Sequence, residues 1–148
     1  MPLDSIDGDQ KLLRVFYTLG LVFAANLVMQ PALAQTPDEV LVSIRKDAGG
    51  TPGFKEFSAA RGESFFKTRQ GSEWSCISCH SENPAAPGKH AKTGKAIDPL
   101  APSANAERFT DPEEVEKWFK RNCYDVLSRE CTPQEKGDVL TYLLTIRK

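Results

Sequence analysis

The sequence predicts an all-α fold, and three features carry this prediction. Two segments in the C-terminal third begin with helix-start signals and continue with apolar residues at helical spacing. No segment shows a strong strand pattern. The long connection at 81–110 contains four prolines and two glycines, and a connection of this length without secondary structure needs something to wrap around.

The bulk composition indicates one globular domain without the excess of basic residues that is typical of nucleic-acid-binding proteins. The chain has 148 residues, 40% of them hydrophobic, and 19 basic residues are balanced by 20 acidic ones. A near-neutral chain of this kind offers no general attraction to a phosphate backbone. We therefore expect no nucleic-acid partner.

The N-terminal region predicts export. Lys11 and Arg14 precede an apolar run at 15–29, and Ala32-Leu33-Ala34 follows it. A basic flank, a short apolar core and small residues at the end are typical of a secretory signal, so residues 1–34 are predicted to be removed by cleavage after Ala34. The run is shorter than the roughly 20 residues of a membrane span. We expect a periplasmic protein without a stable membrane anchor, the alternative being an uncleaved N-terminal anchor helix.

Residues 35–53 are predicted to form a short helix and a linker, and residues 54–148 the main domain. The first helix is expected at 37–47, starting at Pro37 and Asp38, and Gly49-Gly50-Thr51-Pro52-Gly53 ends it. A second helix is expected at 58–68, with Phe65 and Phe66 on its apolar side.

The third and fourth helices carry the clearest start signals. Asp111-Pro112-Glu113-Glu114 places an N-cap, a first-turn proline and a capping-box glutamate in order, and Thr132-Pro133-Gln134-Glu135 repeats the pattern. The third helix is predicted to present one stripe, made of Val115, Trp118, Phe119, Asn122 and Val126. The last helix is apolar along Val139, Leu140, Leu143, Leu144 and Ile146.

The motif Cys76-Ile77-Ser78-Cys79-His80 predicts one covalently attached haem. Two thiols at this spacing reach the two vinyl groups, and the adjacent histidine lies beneath the iron. A thioredoxin-like pair would need a strand and a βαβ context, and half a zinc site would need a better-spaced second pair than Cys123 and Cys131. The haem would also supply an apolar centre for the connection at 81–110, and Trp118 on the α-helical stripe is expected to contact it.

The sequence motifs alone leave the sixth ligand of the iron undecided. The only methionines are Met1 and Met29, so the predicted mature chain has none to offer as a ligand. His90 is a possible strong sixth ligand, as in a simple electron carrier, or a solvated loop residue. Asn122 interrupts an apolar stripe, and a buried asparagine must find partners. It is either a hydrogen-bonding residue or a weak ligand and gate above the iron.

Two further groups of residues each allow two interpretations from the sequence. Cys123 and Cys131 either form a disulfide, which would stabilise the chain by about 2.5 kcal/mol, or remain two free thiols. Lys89, Lys92 and Lys95 form either an ordinary solvated loop or a docking patch for an acidic redox partner.

The segments "TGKAIDPLAPSA", "RFTDPEEVEKWFKRNC" and "RECTPQEKGDVLTYL" closely resemble the sphaeroides haem protein family. The resemblance implies a class I cytochrome c fold that is high-spin, with Asn122 as the sixth ligand and a Cys123–Cys131 disulfide. It also implies that the asparagine leaves the iron on reduction, so that oxygen, nitric oxide or carbon monoxide can bind. A dihaem cytochrome c is the implied electron donor. Turnover on such gases would need that partner, because one haem holds one electron.

Overall fold

The computed structural model describes residues 34–71 and 73–147. Within these ranges lie five helices and one two-stranded ladder. They are α1 (Pro37–Gly49), α2 (Ala59–Lys67), α3 (Ile77–His80), β1 (Gly88–Lys89), β2 (Ala96–Ile97), α4 (Pro112–Leu127) and α5 (Pro133–Thr145). The signal sequence predicted for residues 1–34 lies, apart from Ala34, outside the described residues. None of the helices in the described ranges combines the length and apolar character needed to cross a bilayer.

Helix α1 forms where the sequence predicts it and runs two residues further, to Gly49. Thr36 is its N-cap, and the Thr36 hydroxyl and the Glu39 carboxylate form a reciprocal capping box. The helix packs against α5 and buries Val40 and Ala48. The backbone N–H of Gln35 donates to the Thr110 carbonyl at 2.9 Å, which ties the beginning of α1 to the start of the α4 region.

Helices α2 and α5 cross at backbone contact. A Cβ added to Gly62 of α2 would lie 1.9 Å from the carbonyl oxygen of Asp138 in α5, so only a residue without a side chain fits there. The Asp138 carboxylate is buried and accepts from Arg61 Nε at 2.8 Å, from the Ser58 N–H at 2.7 Å and from Gln134 Nε2 at 3.1 Å. These hydrogen bonds offset the cost of burying the charge, and removing one of the partners would leave it uncompensated at the crossing.

The core lies next to this crossing. Its buried centre is Phe66 of α2 with Val139, Tyr142 and Leu143 of α5, and the Phe66 and Tyr142 rings are 5.7 Å apart. The predicted apolar face of α5 is therefore confirmed at Val139, Leu140 and Leu143, which are buried. Ile146 packs against the core as predicted, but it is the C-cap residue and not part of the helix.

The start signals of α4 and α5 are confirmed with one correction. The Asp111 carboxylate caps α4 by accepting from the N–H groups of Glu113 at 2.9 Å and Glu114 at 3.2 Å. The prediction that Glu114 completes a capping box is wrong, because its carboxylate accepts instead from Lys117 Nζ at 2.7 Å and from Trp118 Nε1 at 3.1 Å. In α5, Thr132 and Glu135 do form the predicted capping box.

The connection at 81–110 contains a short ladder that the sequence does not predict. Gly88 pairs with Ile97 and Lys89 with Ala96 in antiparallel register. Strands of two residues are too short to show an alternating pattern. A Cβ on Gly88 would lie 2.1 Å from the Cys79 carbonyl oxygen, so the ladder lies directly on the backbone of the cysteine motif. The connection thus wraps around the motif, as its length suggests.

The α2–α5 crossing generates a stability prediction. Gly62→Ala is expected to lower the free energy of unfolding by about 1–3 kcal/mol, because the new methyl group meets backbone that cannot rotate away. Gly49→Ala is the matched control, since a Cβ there has nothing within 4 Å and the change in helix propensity stays within about 1 kcal/mol. Urea unfolding of the holoprotein measures both. Equal stability of the two variants would contradict the close contact.

Candidate haem-binding site

A cavity of about 530 Å³ opens beside the core. Its volume lies within the range of about 300–1,000 Å³ that cofactor and small-molecule sites occupy. Its wall combines the three motif residues Cys76, Cys79 and His80 with the stripe of α4. All five residues of the predicted stripe lie on the wall, namely Val115, Trp118, Phe119, Asn122 and Val126.

The cysteine motif is presented by one helical turn, α3. The Ser75 N–H donates to Ser78 Oγ at 3.1 Å, and the His80 N–H donates to the Cys76 carbonyl at 2.9 Å, so the segment is closed by its own hydrogen bonds. The thiols of Cys76 and Cys79 are both free. The Ala91 N–H contacts Cys79 Sγ at 3.3 Å, which brings the ladder connection to the second sulfur.

The environment of the motif suits an iron ligand and not a reactive thiol pair. The ring centroids of His80 and Phe66 are 6.4 Å apart. Burial, with a smaller contribution from the positive charge of Arg108, lowers the pKa of His80 to about 4 and keeps the imidazole neutral, as a metal ligand must be. Burial raises the pKa of Cys76 to about 12. A thioredoxin-like pair needs a lowered thiol pKa, so that alternative is disfavoured.

Asn122 lies on the cavity wall but is exposed there, so the expectation of a buried asparagine is wrong. Within 34–71 and 73–147, no residue forms a hydrogen bond with its side-chain amide. One turn earlier, Trp118 lies at the same wall with 46% of its surface exposed. Its ring is fixed by the bond to Glu114 and by the Arg121 guanidinium, 5.6 Å from the ring centroid.

His90 lines the same cavity, within the turn that joins β1 and β2. Its Nδ1 accepts from the backbone N–H groups of Lys92 at 3.2 Å and Thr93 at 3.3 Å, while the backbone N–H of His90 donates to the Lys95 carbonyl at 2.8 Å. These bonds orient the imidazole. They leave Nε2 as the nitrogen that could reach a metal.

The three lysines of the connection differ in their surroundings. All three are exposed to solvent, but Lys92 also contacts other parts of the protein. Its Nζ lies 3.1 Å from Asp125 Oδ1 on α4 and 4.5 Å from the centroid of the Trp74 ring. Lys92 therefore links the ladder turn to the helix that carries Asn122, and it is not an ordinary solvated lysine.

Two wall residues that sequence reasoning missed are Arg108 and Phe109. Arg108 donates from Nε to the Pro99 carbonyl at 3.0 Å and from a terminal nitrogen to the Asp98 carbonyl at 2.9 Å. Phe109 has a φ of 60°, a left-handed conformation that is unusual for an aromatic residue, and its ring lies 6.5 Å from that of Phe119. Neither residue belongs to a periodic segment, so no pattern could identify them.

The predicted pairing of the remaining cysteines is confirmed. Cys123 of α4 and Cys131, just before α5, form a disulfide, and both residues line the cavity. They are joined to each other, so they are not the second pair of zinc ligands that the zinc alternative requires. The bond ties the residue after Asn122 to the start of α5.

The site and the fold define the class of protein as a mono-haem c-type cytochrome with the class I cytochrome c fold. The free thiols, the half-buried neutral imidazole and the largely apolar cavity together have the chemistry that a covalent haem c needs. The chain belongs to the family described as "Domain of unknown function (DUF1924)", which matches residues 52–143.

Characterised relatives support this class. The chain is 37% identical over 142 residues to "Cytochrome c''" of Methylophilus methylotrophus, covering 93% of this chain and 97% of the relative. It is 43% identical over 118 residues to "Cytochrome c-type protein SHP" of Cereibacter sphaeroides, covering 76% of this chain and 88% of the relative. The resemblance to the sphaeroides haem protein family is therefore confirmed.

Solved structures give the same result. The structure of "oxidized SHP, an oxygen binding cytochrome c" matches with a TM-score of 0.66 and 38% identity, covering 74% of this chain and 96% of that one. Oxidised cytochrome c'' from Methylophilus methylotrophus matches with a TM-score of 0.66 and 40% identity, covering 76% of this chain and 95% of that one.

The disulfide generates a second prediction. Cys123→Ala/Cys131→Ala is expected to lower the free energy of unfolding by about 2.5 kcal/mol, because the unfolded chain gains the freedom of an open loop. Urea unfolding measures the loss. In the wild-type holoprotein, thiol titration after denaturation should find no free thiol before reduction and two after it. A free thiol before reduction would contradict the pairing.

Proposed function

We propose that this protein is an exported, high-spin c-type cytochrome in which Asn122 is a weak sixth ligand that leaves the iron on reduction. Oxygen, nitric oxide or a similar small molecule then reaches the iron. The observation that carries the proposal is the position of Asn122. Its amide lies on the cavity wall with the haem-attachment motif, and none of the described residues forms a hydrogen bond with it.

The proximal side of the proposed site comes from the motif. Cys76 and Cys79 attach the haem covalently and His80 binds the iron, while Phe66 supports the imidazole from the core. The haem supplies the iron, its one-electron redox change and its affinity for small gaseous ligands. The protein supplies orientation, exclusion of water and the sixth ligand.

Ligand chemistry explains why Asn122 would be released. An amide oxygen is a hard, weak donor that suits ferric iron better than ferrous iron, whereas ferrous iron prefers softer ligands such as diatomic gases. The neighbours of Asn122 on the wall include Phe119 and Val126, which offer no competing donor atoms. With no methionine after Met29, the chain also lacks the strong ligand that electron carriers commonly use.

Two relatives support this mode of action. One structural match is described as an oxygen-binding cytochrome c. A solution structure of cytochrome c'' from Methylophilus methylotrophus, which matches with a TM-score of 0.64 and 40% identity, is described as giving insights into haem-ligand detachment. We transfer ligand release and gas binding from these proteins to this chain as part of the proposal.

The second candidate function is simple electron transfer with His90 as the sixth ligand. The observation in its favour is that His90 also lines the cavity. A histidine ligand is strong in both oxidation states of the iron. The two functions therefore differ in whether the ferrous iron is accessible.

Both functions need an electron donor, because one haem holds one electron. We propose a partner cytochrome, for which the family resemblance implies a dihaem cytochrome c, and a periplasmic location after cleavage behind Ala34. Whether gas binding leads to turnover depends on this supply. The exposed Lys89 and Lys95 are available for an acidic partner, whereas Lys92 is engaged with Asp125 and Trp74.

Haem attachment is tested with the two cysteine pairs. The Cys76→Ala/Cys79→Ala variant is expected to release its haem on extraction with acidic acetone, because no thioether bond remains. The mass of the denatured variant should equal that of the polypeptide alone. The Cys123→Ala/Cys131→Ala variant is the matched control and should keep covalent haem. Haem retained covalently by the first variant would overturn the assignment.

The sixth ligand is tested with Asn122→Ala and His90→Ala, examined by optical and spin-state spectroscopy. Asn122→Ala is expected to change the ferric spectrum, because the ligand is removed, and His90→Ala to leave it unchanged. In the wild-type protein, ferrous iron should bind carbon monoxide readily. A low-spin ferrous form that ignores carbon monoxide, with a ferric spectrum sensitive to His90→Ala, would establish the second function instead.

A further inference from the structure

Arg108 is a cation on the cavity wall, and no carboxylate among the described residues pairs with it. Its side chain is half-buried and lines the cavity. Within 34–71 and 73–147, no carboxylate forms an ion pair with it, although Asp98 and Glu107 lie on the same wall. Removing a guanidinium from water is costly unless an anion compensates the charge. Among the described residues, the positive charge of Arg108 therefore has no anion beside it on this wall.

The guanidinium is held in place by the backbone around it. Nε and one terminal nitrogen donate to the carbonyls of Pro99 and Asp98. A guanidinium has more N–H groups than these two bonds occupy, so donors remain for a further acceptor. The next residue, Phe109, takes a left-handed conformation and packs against the core, which keeps this part of the chain at the wall.

The other cations of the wall are already engaged. Lys92 pairs with Asp125 and lies over Trp74, and Arg121 is exposed and stacks on Trp118. Some arginines outside the cavity have carboxylate partners, as Arg61 has in Asp138 and Arg129 has in Glu135. Arg108 differs from each of them in combining a fixed position, partial burial and an unmatched charge at the cavity.

We propose that Arg108 holds a propionate carboxylate of the haem. A haem is apolar except for its two propionates, and a fork of N–H donors suits a carboxylate better than any other side chain does. Arg108 would thereby orient the haem edge and neutralise one negative charge near the iron. Because reduction adds an electron, neutralising that charge favours the ferrous state and raises the midpoint potential. This role depends on covalent haem but not on Asn122.

The test uses Arg108→Gln and Arg108→Lys holoproteins. The propionate-bending band in the resonance Raman spectrum reports hydrogen bonding to the carboxylate, and redox titration gives the midpoint potential. Arg108→Gln is expected to shift the band and lower the potential. Arg108→Lys keeps the positive charge but lacks the planar fork of donors. It should therefore shift the band but lower the midpoint potential less than Arg108→Gln does. If Arg108→Gln does not mature, the Arg108→Lys band decides the question.

Two arginine variants are matched controls. Arg129 also donates to a backbone carbonyl, that of Glu130, but lies outside the cavity, so Arg129→Gln should change neither readout. Arg121→Gln removes the competing cation of the wall and should also leave the band unchanged. A band that moves with Arg121→Gln and not with Arg108→Gln would overturn the proposal. So would an Arg108→Gln protein that loses stability while the band and the potential stay at wild-type values.

Carbon monoxide binding separates this proposal from the proposed function. If Arg108 holds the propionate but ferrous iron ignores carbon monoxide, the gas-binding function fails alone. If carbon monoxide binds and the propionate band is insensitive to Arg108, the propionate assignment fails alone.

Discussion

The backbone contact between Gly62 and Asp138 is the constraint on which the rest of the structure depends. Because α2 and α5 approach so closely, Phe66 meets Tyr142 in the buried core, and the same phenylalanine lies against His80. The beginning of α5 is bonded to Cys123 through Cys131, next to Asn122. The motif histidine and helix α4 are thus both positioned relative to a single helix crossing.

The two sides of the site are built in different ways. The Cys76–His80 side is local, since one turn of helix closed by its own hydrogen bonds presents both thiols and the imidazole. The position of Asn122 depends on tertiary contacts. Its helix α4 is fixed by the disulfide and by the ion pair of Lys92 and Asp125. The exposed ion pair contributes at most about 1 kcal/mol, so the covalent bond carries most of this restraint.

Helix positions and the motif were predictable because their signals are local. Capping residues such as Thr132 and helical apolar spacing report on a few neighbouring residues, and those contacts form as expected. The β1–β2 ladder was missed since two-residue strands have no period. The role of Glu114 was predicted wrongly because the capping-box rule considers only the N-cap N–H. Lys117 and Trp118, one turn further along α4, compete for the same carboxylate. Arg108 was missed because its significance arises only when the loop folds against the cavity.

Asn122 and His90 differ in how easily each could reach the face of a bound haem iron that His80 would leave open. His90 precedes Ala91, whose N–H contacts the sulfur of Cys79, and its Nδ1 already accepts from the Lys92 and Thr93 backbone. Those bonds hold His90 near the edge where the haem would be attached, and crossing to the other face would cost their loss. Asn122 comes from a separate helix and breaks no hydrogen bond to reach the iron, which favours it as the ligand.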